Sequence, residues 1–389
     1  VKAGWTEVAL GEVATIDRQV VGPDEITAGT LYVGLENVLS GGGLRDVAPV
    51  AEGQIASGKF MFDSGHVLFG KLRPNLAKSA RPDFAGVCST DILPVRPGGT
   101  LDRDYLAHFI ALPGTVALAT RRAAGANLPR LSPTQLELFR LPLPPLDEQR
   151  RIARVLDAAE AVRTMRRRSI ESASSFAAAL YRTMFGGIHP TCEVTTLGQV
   201  SDVTSGITKG RRINGRVLTE VPYLAVSNVQ AGHLDMTNVK TIEASEPEIA
   251  RFRLAPGDLL LTEGGDPDKL GRGTLWSGEL DVCIHQNHIF RVRVHDPDQV
   301  DPVFLQGQVA SAAARSYFLR AAKQTTGIAS INRTQLQALP VQLPPIDLQC
   351  SFTERLRLAA RAVAARERHL AHLDALFVSL QHRAFTGAL

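Results

Sequence analysis

The chain has 389 residues, 44% of them hydrophobic and 21% charged, which is too long for one ordinary domain and too apolar for a disordered chain. A net charge of +4 and a pI near 9.0 permit a polyanionic partner without demanding one. Cys88, Cys192, Cys283 and Cys350 form no CxxC pair, which argues against a zinc ribbon or disulfide framework and for reduced thiols. The first thirteen residues hold no apolar leader. The longest apolar stretch, 109–119, is interrupted by Pro113 and Gly114 and is too short to span a bilayer. A cytoplasmic protein without a membrane partner is expected.

In chain order, residues 1–146 read as short β-like runs broken by Gly, Pro and Asn, then a helical stretch near 105–124. A long helix follows over 147–187. A second module spans 188–346, with its helical stretch near 303–323, and a second long helix occupies 347–389. The expected fold class is α+β: two tandem α/β modules separated by two long antiparallel coiled-coil helices, a pseudo-two-fold internal repeat.

The repeat is explicit. Thr134-Gln135-Leu136, then Leu143-Pro144-Pro145-Leu146-Asp147 and Gln149, recur as Thr334-Gln335-Leu336, Leu343-Pro344-Pro345-Ile346-Asp347 and Gln349, always 200 residues later. The register still holds at Phe185 and Phe385. Upstream the copies drift. Leu10 and Leu197 stand 187 apart, and Tyr32 with Asn37 parallels Tyr223 with Asn228. Loops that gain and lose residues on a constant frame are what diversified recognition requires.

Each Pro-Pro pair is followed by Asp, read as the helix N-cap, and by some forty residues free of proline. In the second copy Phe352, Leu356, Ala359, Val363, Arg366, Leu370, Leu373, Phe377, Leu380 and Ala384 alternate spacings of four and three, a coiled-coil seam. The first copy is looser, with Ile152, Val155, Ala159, Val162, Ser169, Ala173, Phe176 and Leu180. Equal seams in one chain predict an antiparallel pair, a rod with a module at each end. The alternative is that each helix packs on its own module alone. Arg166-Arg167-Arg168 reads as a solvated face.

Candidate polyanion contacts lie in loops. In the first module these are Lys71, Arg73, Asn75 and Lys78, with Arg121 and Arg122 after the helical stretch. In the second they are the turn Lys209, Arg211 and Arg212, the group Asp268, Lys269, Arg272 and Thr274, and the pair Asn332 and Arg333. Arg and Lys suit phosphate or the guanine edge, and Asn suits adenine. Glu263, Asp266 and Asp268 could be argued as a metal site but read better as a turn. His285 and His288, three apart in a β-like run, should face opposite ways.

The segment LPLPPLDEQRRIARVLD from Leu141, its copy from Val341, and the tandem halves resemble the specificity subunits of Type I restriction-modification systems. GKLRPNLAK and DPDKLGRGT look like loops of that family's target recognition domains. The second copy departs from the pattern, with Leu348 and Cys350 where the first has Glu148 and Arg150. The resemblance implies two target recognition domains, each reading half of a bipartite double-stranded DNA site. It implies two methyltransferase subunits docked on the helices and a restriction-translocase subunit for cleavage. It also implies no catalysis and no cofactor in this chain, with S-adenosylmethionine, ATP and Mg on the partners. No (N/D)PP(Y/F) motif, convincing Gly-rich Rossmann loop or GxxxxGK(S/T) loop contradicts this. Two other classes stay open, a self-contained DNA nuclease or methyltransferase and a coiled-coil protein-binding adaptor.

Overall fold

The structure, a computed structural model, describes residues 4–174, 176–186, 192–211, 217–265, 270–325 and 328–389. Each module is closed by pairing its two ends. Thr6–Ala9 runs antiparallel to Arg140–Leu143, with Thr6 opposite Leu143 and Ala9 opposite Arg140. Glu193–Thr196 pairs with Pro340–Leu343 in the same way. The proline that opens the second of these late strands, Pro340, is tolerated because the sheet is only two-stranded and each strand is an edge.

Behind this stitch both modules carry a four-stranded sheet of the same order. In the first, Ala14–Ile16 neighbours Ile92–Pro97, then Val67–Gly70, then Ser79–Ala80. In the second, Ser201–Ser205, Ile289–Val294, Leu259–Thr262 and Gly273–Leu275 follow that order. Their central strands are continuous apolar runs because both faces are covered. Val67, Leu68, Ile92, Leu93 and Leu259, Leu260, Leu261 are all buried.

The copies differ in a further sheet. It has five strands in the first module and three in the second, each with one parallel pair, Leu31–Val33 with Gly86–Cys88 and Thr219–Leu224 with Ile284–His285. Here the register between copies slips. The repeated asparagines survive for a structural reason. Asn37 accepts from the Gly34 amide at 2.8 Å and donates to the carbonyls of Arg45 and Asp46. Asn228 accepts from Ala225 at 2.8 Å and donates to Asp235 and Asn238. Each pins one loop from inside.

The helical stretches are each two helices, a correction to the sequence reading. Arg103–Ile110 is followed by Pro113–Arg122, with Pro113 starting the new helix where its missing N–H costs nothing. Pro302–Val309 is followed by Ala312–Ala321, capped by Ser311, which accepts from the Ala314 amide.

The long helices are Leu146–Ser174, continued by Phe176–Phe185, and Ile346–Thr386. Asp147 is not the N-cap. The Pro145 carbonyl accepts the Gln149 amide, and Asp147 lies one step inside the first turn, where its charge still favours the helix dipole. The motif glutamine does more. Gln149, fully buried, donates to the carbonyls of Pro144 at 2.7 Å and Thr100 at 3.0 Å and accepts from the Asp102 amide at 2.8 Å. Gln349 repeats this with Pro344, Gln299 and Asp301. At the far end Gly387, at φ 79°, turns the chain so that the Ala388 amide bonds the Arg383 carbonyl, closing the helix.

By contacts the chain forms two units: residues to Arg167 with Arg368–Leu389, and Arg168–Glu367. Within the first unit, Ile152 and Leu156 share one core with Phe377, Leu380 and Ala384 and with the module. Tyr105 stacks on Phe385 at 4.8 Å. Arg163 bonds Asp374 and lies 4.2 Å over the Phe377 ring, while Arg151 reaches the Leu389 carbonyl, so the two helical segments run antiparallel here. Within the second unit, Phe185 packs on Phe304 at 5.0 Å and on Phe352 at 5.6 Å, with Tyr181 beside them. Neither module therefore packs on its own helix alone.

All ten seam positions of the second helix are at least half-buried. The first helix departs from its predicted seam. Val162 and Phe176 are exposed, while Leu156 and Arg163 point inward. Arg163 carries its charge into the interface with two carboxylates, Glu160 and Asp374, which an apolar periodicity cannot register. Arg167 of the arginine run is likewise bonded to Asp374 rather than simply solvated.

Replacing Gln149 or Gln349 with Ala leaves buried amides and carbonyls unpaired at a helix start. Each substitution is expected to cost about 2–4 kcal/mol. Urea denaturation checks this, and a loss under about 0.5 kcal/mol refutes the latch.

Candidate nucleic-acid interface

In the first module the loop 71–78 leaves the strand Val67–Gly70 and returns as Ser79–Ala80. Its middle, Pro74–Leu76, is a single tight turn flanked by Arg73 at φ 50° and Ala77 at φ 48°. Two non-glycine residues in left-handed backbone cost about 1–3 kcal/mol each and persist only where neighbours hold them. The Arg73 amide bonds the Pro129 carbonyl at 2.8 Å, the Leu131 amide bonds Lys71, and the Lys71 amide bonds Asp91. The turn also packs against the helix Pro113–Arg122. So the structure brings Lys71, Arg73 and Asn75 to the surface that carries Arg121 and Arg122. Arg73, Asn75 and Arg121 are exposed, and Arg122 lies 5.5 Å over the Phe139 ring. Lys78 turns away, its ammonium bonded to the Leu35 carbonyl.

The same place is built in the second module. The Thr262 amide bonds the Arg272 carbonyl as Gly70 bonds Lys78, so Arg272 stands where Lys78 does. Gly264–Gly265 pairs with Ile328–Ser330, which draws together loops more than sixty residues apart. Asn332 and Arg333 follow at once. Both are exposed, although Asn332 spends its side-chain oxygen on capping the helix Arg333–Gln337. Lys209 is exposed and lies 5.0 Å over the Tyr223 ring.

Two candidates are corrected. Thr274 is buried in the strand Gly273–Leu275, opposite Leu260, in the position that Ala80 holds opposite Leu68. Its β-branched side chain fills a sheet and cannot reach a ligand. Arg211 is locked, with Nε and Nη2 on Glu248 at 2.6 and 3.0 Å and Nη2 also on the Glu243 carbonyl. That guanidinium, with the Ser245 amide, holds the Glu248 carboxyl down to about 2. Arg212, Asp268 and Lys269 lie outside the described residues, as does Asp266 of the acidic group. His285 is buried at the end of the strand Ile284–His285 and His288 is exposed in the turn that follows, so the two do not lie on opposite faces of one β-run.

Sequence reading missed two pairs at these surfaces. Arg130 bonds Asp91 through Nε at 2.9 Å and Nη2 at 3.2 Å. His288 bonds Glu263 at 2.6 Å. Their separations of 39 and 25 residues leave no local pattern to find.

Residues 2–171 match the family model of the Type I restriction modification DNA specificity domain. The specificity subunit of the Type I restriction enzyme EcoKI from Escherichia coli K12 is 25% identical over 76% of this chain and 67% of its own length. Residues 2–171 thus match this specificity domain, and the chain over three quarters of its length is similar to Type I specificity subunits. Among solved structures, one described for complex assembly and conformational transition of the type I R-M system is 19% identical, covers 100% of this chain and 99% of its own, and has a TM-score of 0.67. The S subunit of a Type-I restriction-modification system from M. genitalium is 12% identical, covers 98% and 96%, and has a TM-score of 0.54. These two share the fold.

The distinction between free and locked cations matters for binding a polyanion. Arg211→Ala is expected to lower stability by about 1–3 kcal/mol, because it strips charged hydrogen bonds, and to leave the salt slope of DNA binding unchanged. Lys209→Ala should do the reverse. The Glu248 carboxyl sits below its ordinary 4.5, so its contribution is complete above about pH 4.5 and is lost as pH falls towards 2. A Glu248→Gln variant should lack that acid-dependent loss, as urea midpoints across this range would show.

Proposed function

We infer that this chain is the DNA-sequence specificity subunit of a Type I restriction-modification complex and recognises a bipartite, asymmetric double-stranded DNA site. One observation carries the reading beyond the family match. Two modules share one backbone frame and one glutamine-latched helix start, yet present different side chains on the corresponding loops. A frame used twice with different loops suits two unlike half-sites. The family's role is recognition without catalysis, and neither a self-contained enzyme nor a protein adaptor draws support from the relatives.

In this reading the modules are target recognition domains, and the helices form an antiparallel coiled-coil spacer that sets the distance between half-sites. Two methyltransferase subunits dock along the helices, and a restriction-translocase subunit joins for cleavage. S-adenosylmethionine, ATP and Mg act on those partners. None of the described helices is long and apolar enough to cross a membrane, which is compatible with work on DNA in the cytoplasm.

Methylation sequencing of host DNA with this gene intact or deleted tests the reading. A bipartite motif whose methylation disappears on deletion is expected, and an unchanged methylome from an expressed system refutes it. The spacer makes a second prediction. Removing four residues, about one turn or 5.4 Å, from each long helix should change the tolerated spacer by one to two base pairs. Unchanged methylation of the original site would rule out the ruler.

A further inference from the structure

The backbone bonds that hold the candidate loops are the same in both modules, so they identify equivalent positions without reference to sequence. The Lys71 amide bonds the Asp91 carbonyl at 2.9 Å, and the Glu263 amide bonds His288 at 3.0 Å. The Leu131 amide bonds the Lys71 carbonyl at 3.0 Å, and the Ile331 amide bonds Glu263 at 2.9 Å. Asp91 and His288 each stand one residue before the strands Ile92–Pro97 and Ile289–Val294. Lys71, Asp91 and Arg130 therefore correspond to Glu263, His288 and Ser330. The frame agrees to about 0.1 Å in these bonds, and the side chains agree in nothing. Lysine faces glutamate, aspartate faces histidine, and arginine faces serine.

Both triplets nevertheless arrive at one design, a base-sized polar group braced by a carboxylate. In the first module Asp91 takes Nε and Nη2 of Arg130, whose side chain is 44% exposed. Nη1 makes a long contact of 3.4 Å to the Leu128 carbonyl. One hydrogen on each of Nη1 and Nη2 remains, and together they form the outer fork of the guanidinium. A braced fork loses little rotamer freedom on binding, and its two parallel donors match O6 and N7 of guanine. In the second module Glu263 accepts from Nδ1 of His288, whose side chain is 56% exposed. In the neutral ring that bond makes Nε2 the acceptor, and its one lone pair faces the Asn287 side-chain amide at 3.3 Å, a long contact that a base amino group would replace. An acceptor at this position matches the exocyclic amino group of adenine or cytosine.

We propose that Arg130, braced by Asp91, and His288, braced by Glu263, are the specificity-determining residues of their modules, taken from different corners of equivalent triplets, each reading a base in one half-site through opposite hydrogen-bonding sense. This rests on the bipartite-recognition reading above. Backbone neutralisation falls to the exposed cations around them, Arg73 and Arg121 in the first module and Lys209 and Arg333 in the second.

The test uses the full chain assembled with its methyltransferase subunits and a DNA library randomised across both half-sites, read by methylation sequencing at two salt concentrations. Wild type comes first. If it selects no bipartite motif, the functional reading fails, and the residue assignment falls with it. With a wild-type motif in hand, Arg130→Ala should lose roughly tenfold or more discrimination at a guanine-containing pair in one half-site and keep the other half intact. His288→Ala should do so in the opposite half only. Arg130→Lys retains charge but not the fork, so it should relax the same pair as Arg130→Ala, and it decides the matter if the alanine variant does not fold. A uniform loss across all sequences with a shallower salt slope would make Arg130 a phosphate contact and overturn the proposal. Unaltered preferences in Arg130→Lys and His288→Ala, or relaxation in both halves from one substitution, would overturn it as well.

Discussion

A buried glutamine side chain joins three pieces of chain at each helix start. Gln149 ties the carbonyl inside the Pro-Pro pair, the loop ahead of the helix Arg103–Ile110 and that helix's N-cap residue. Because an amide can donate twice and accept at once, one residue satisfies groups that would otherwise be buried and unpaired. The cost of losing such bonds is high, and the geometry they demand is narrow. Everything downstream inherits that geometry. The direction in which each long helix leaves its module is set here, and the pairing of the module's first and last strands is set a few residues earlier.

Around this fixed point the two units divide the work in the same way. Apolar packing supplies most of the holding force, through Ile152, Leu156, Phe377 and Ala384 in one unit and Phe185, Phe304 and Phe352 in the other. Charge is spent where it orders rather than where it merely attracts. Asp157 collects Arg81 and His108 at the base of the first helix, and together they hold its carboxyl far below the usual range. Arg96 does likewise for Asp63, down to about 2. Exposed cations remain on the loops, Arg73 and Lys209 among them, as well as along the long helices, and exposed positive groups on a fixed frame are what a polyanion needs.

How much of this the residues disclosed on their own follows from separation along the chain. The Pro-Pro-x-Asp-x-Gln element was visible because its parts lie within six positions and repeat 200 residues later. The second helix's seam was visible because its apolar period is unbroken, save at Arg366. The first helix's seam was misread at Val162 and Phe176 because its inner face includes Arg163, whose burial depends on partners in the other helix. Thr274 looked like a loop residue beside Arg272, but strand pairing with Leu260 buries it. Arg211 looked like a free cation, but Glu248 lies 37 residues away and captures it.

The sequence by itself disclosed the duplication, the long helices, and the resemblance to Type I specificity subunits, because each is written in local patterns and a constant offset. Tertiary structure decided which cations are free, which are bound, and which side chains share a surface. Those are matters of pairing between distant residues, and nothing in a local window encodes them. The repeat thereby gains a physical content. Its conserved half is a set of buried bonds to backbone, and its variable half is a few side chains that the same backbone bonds hold in corresponding places.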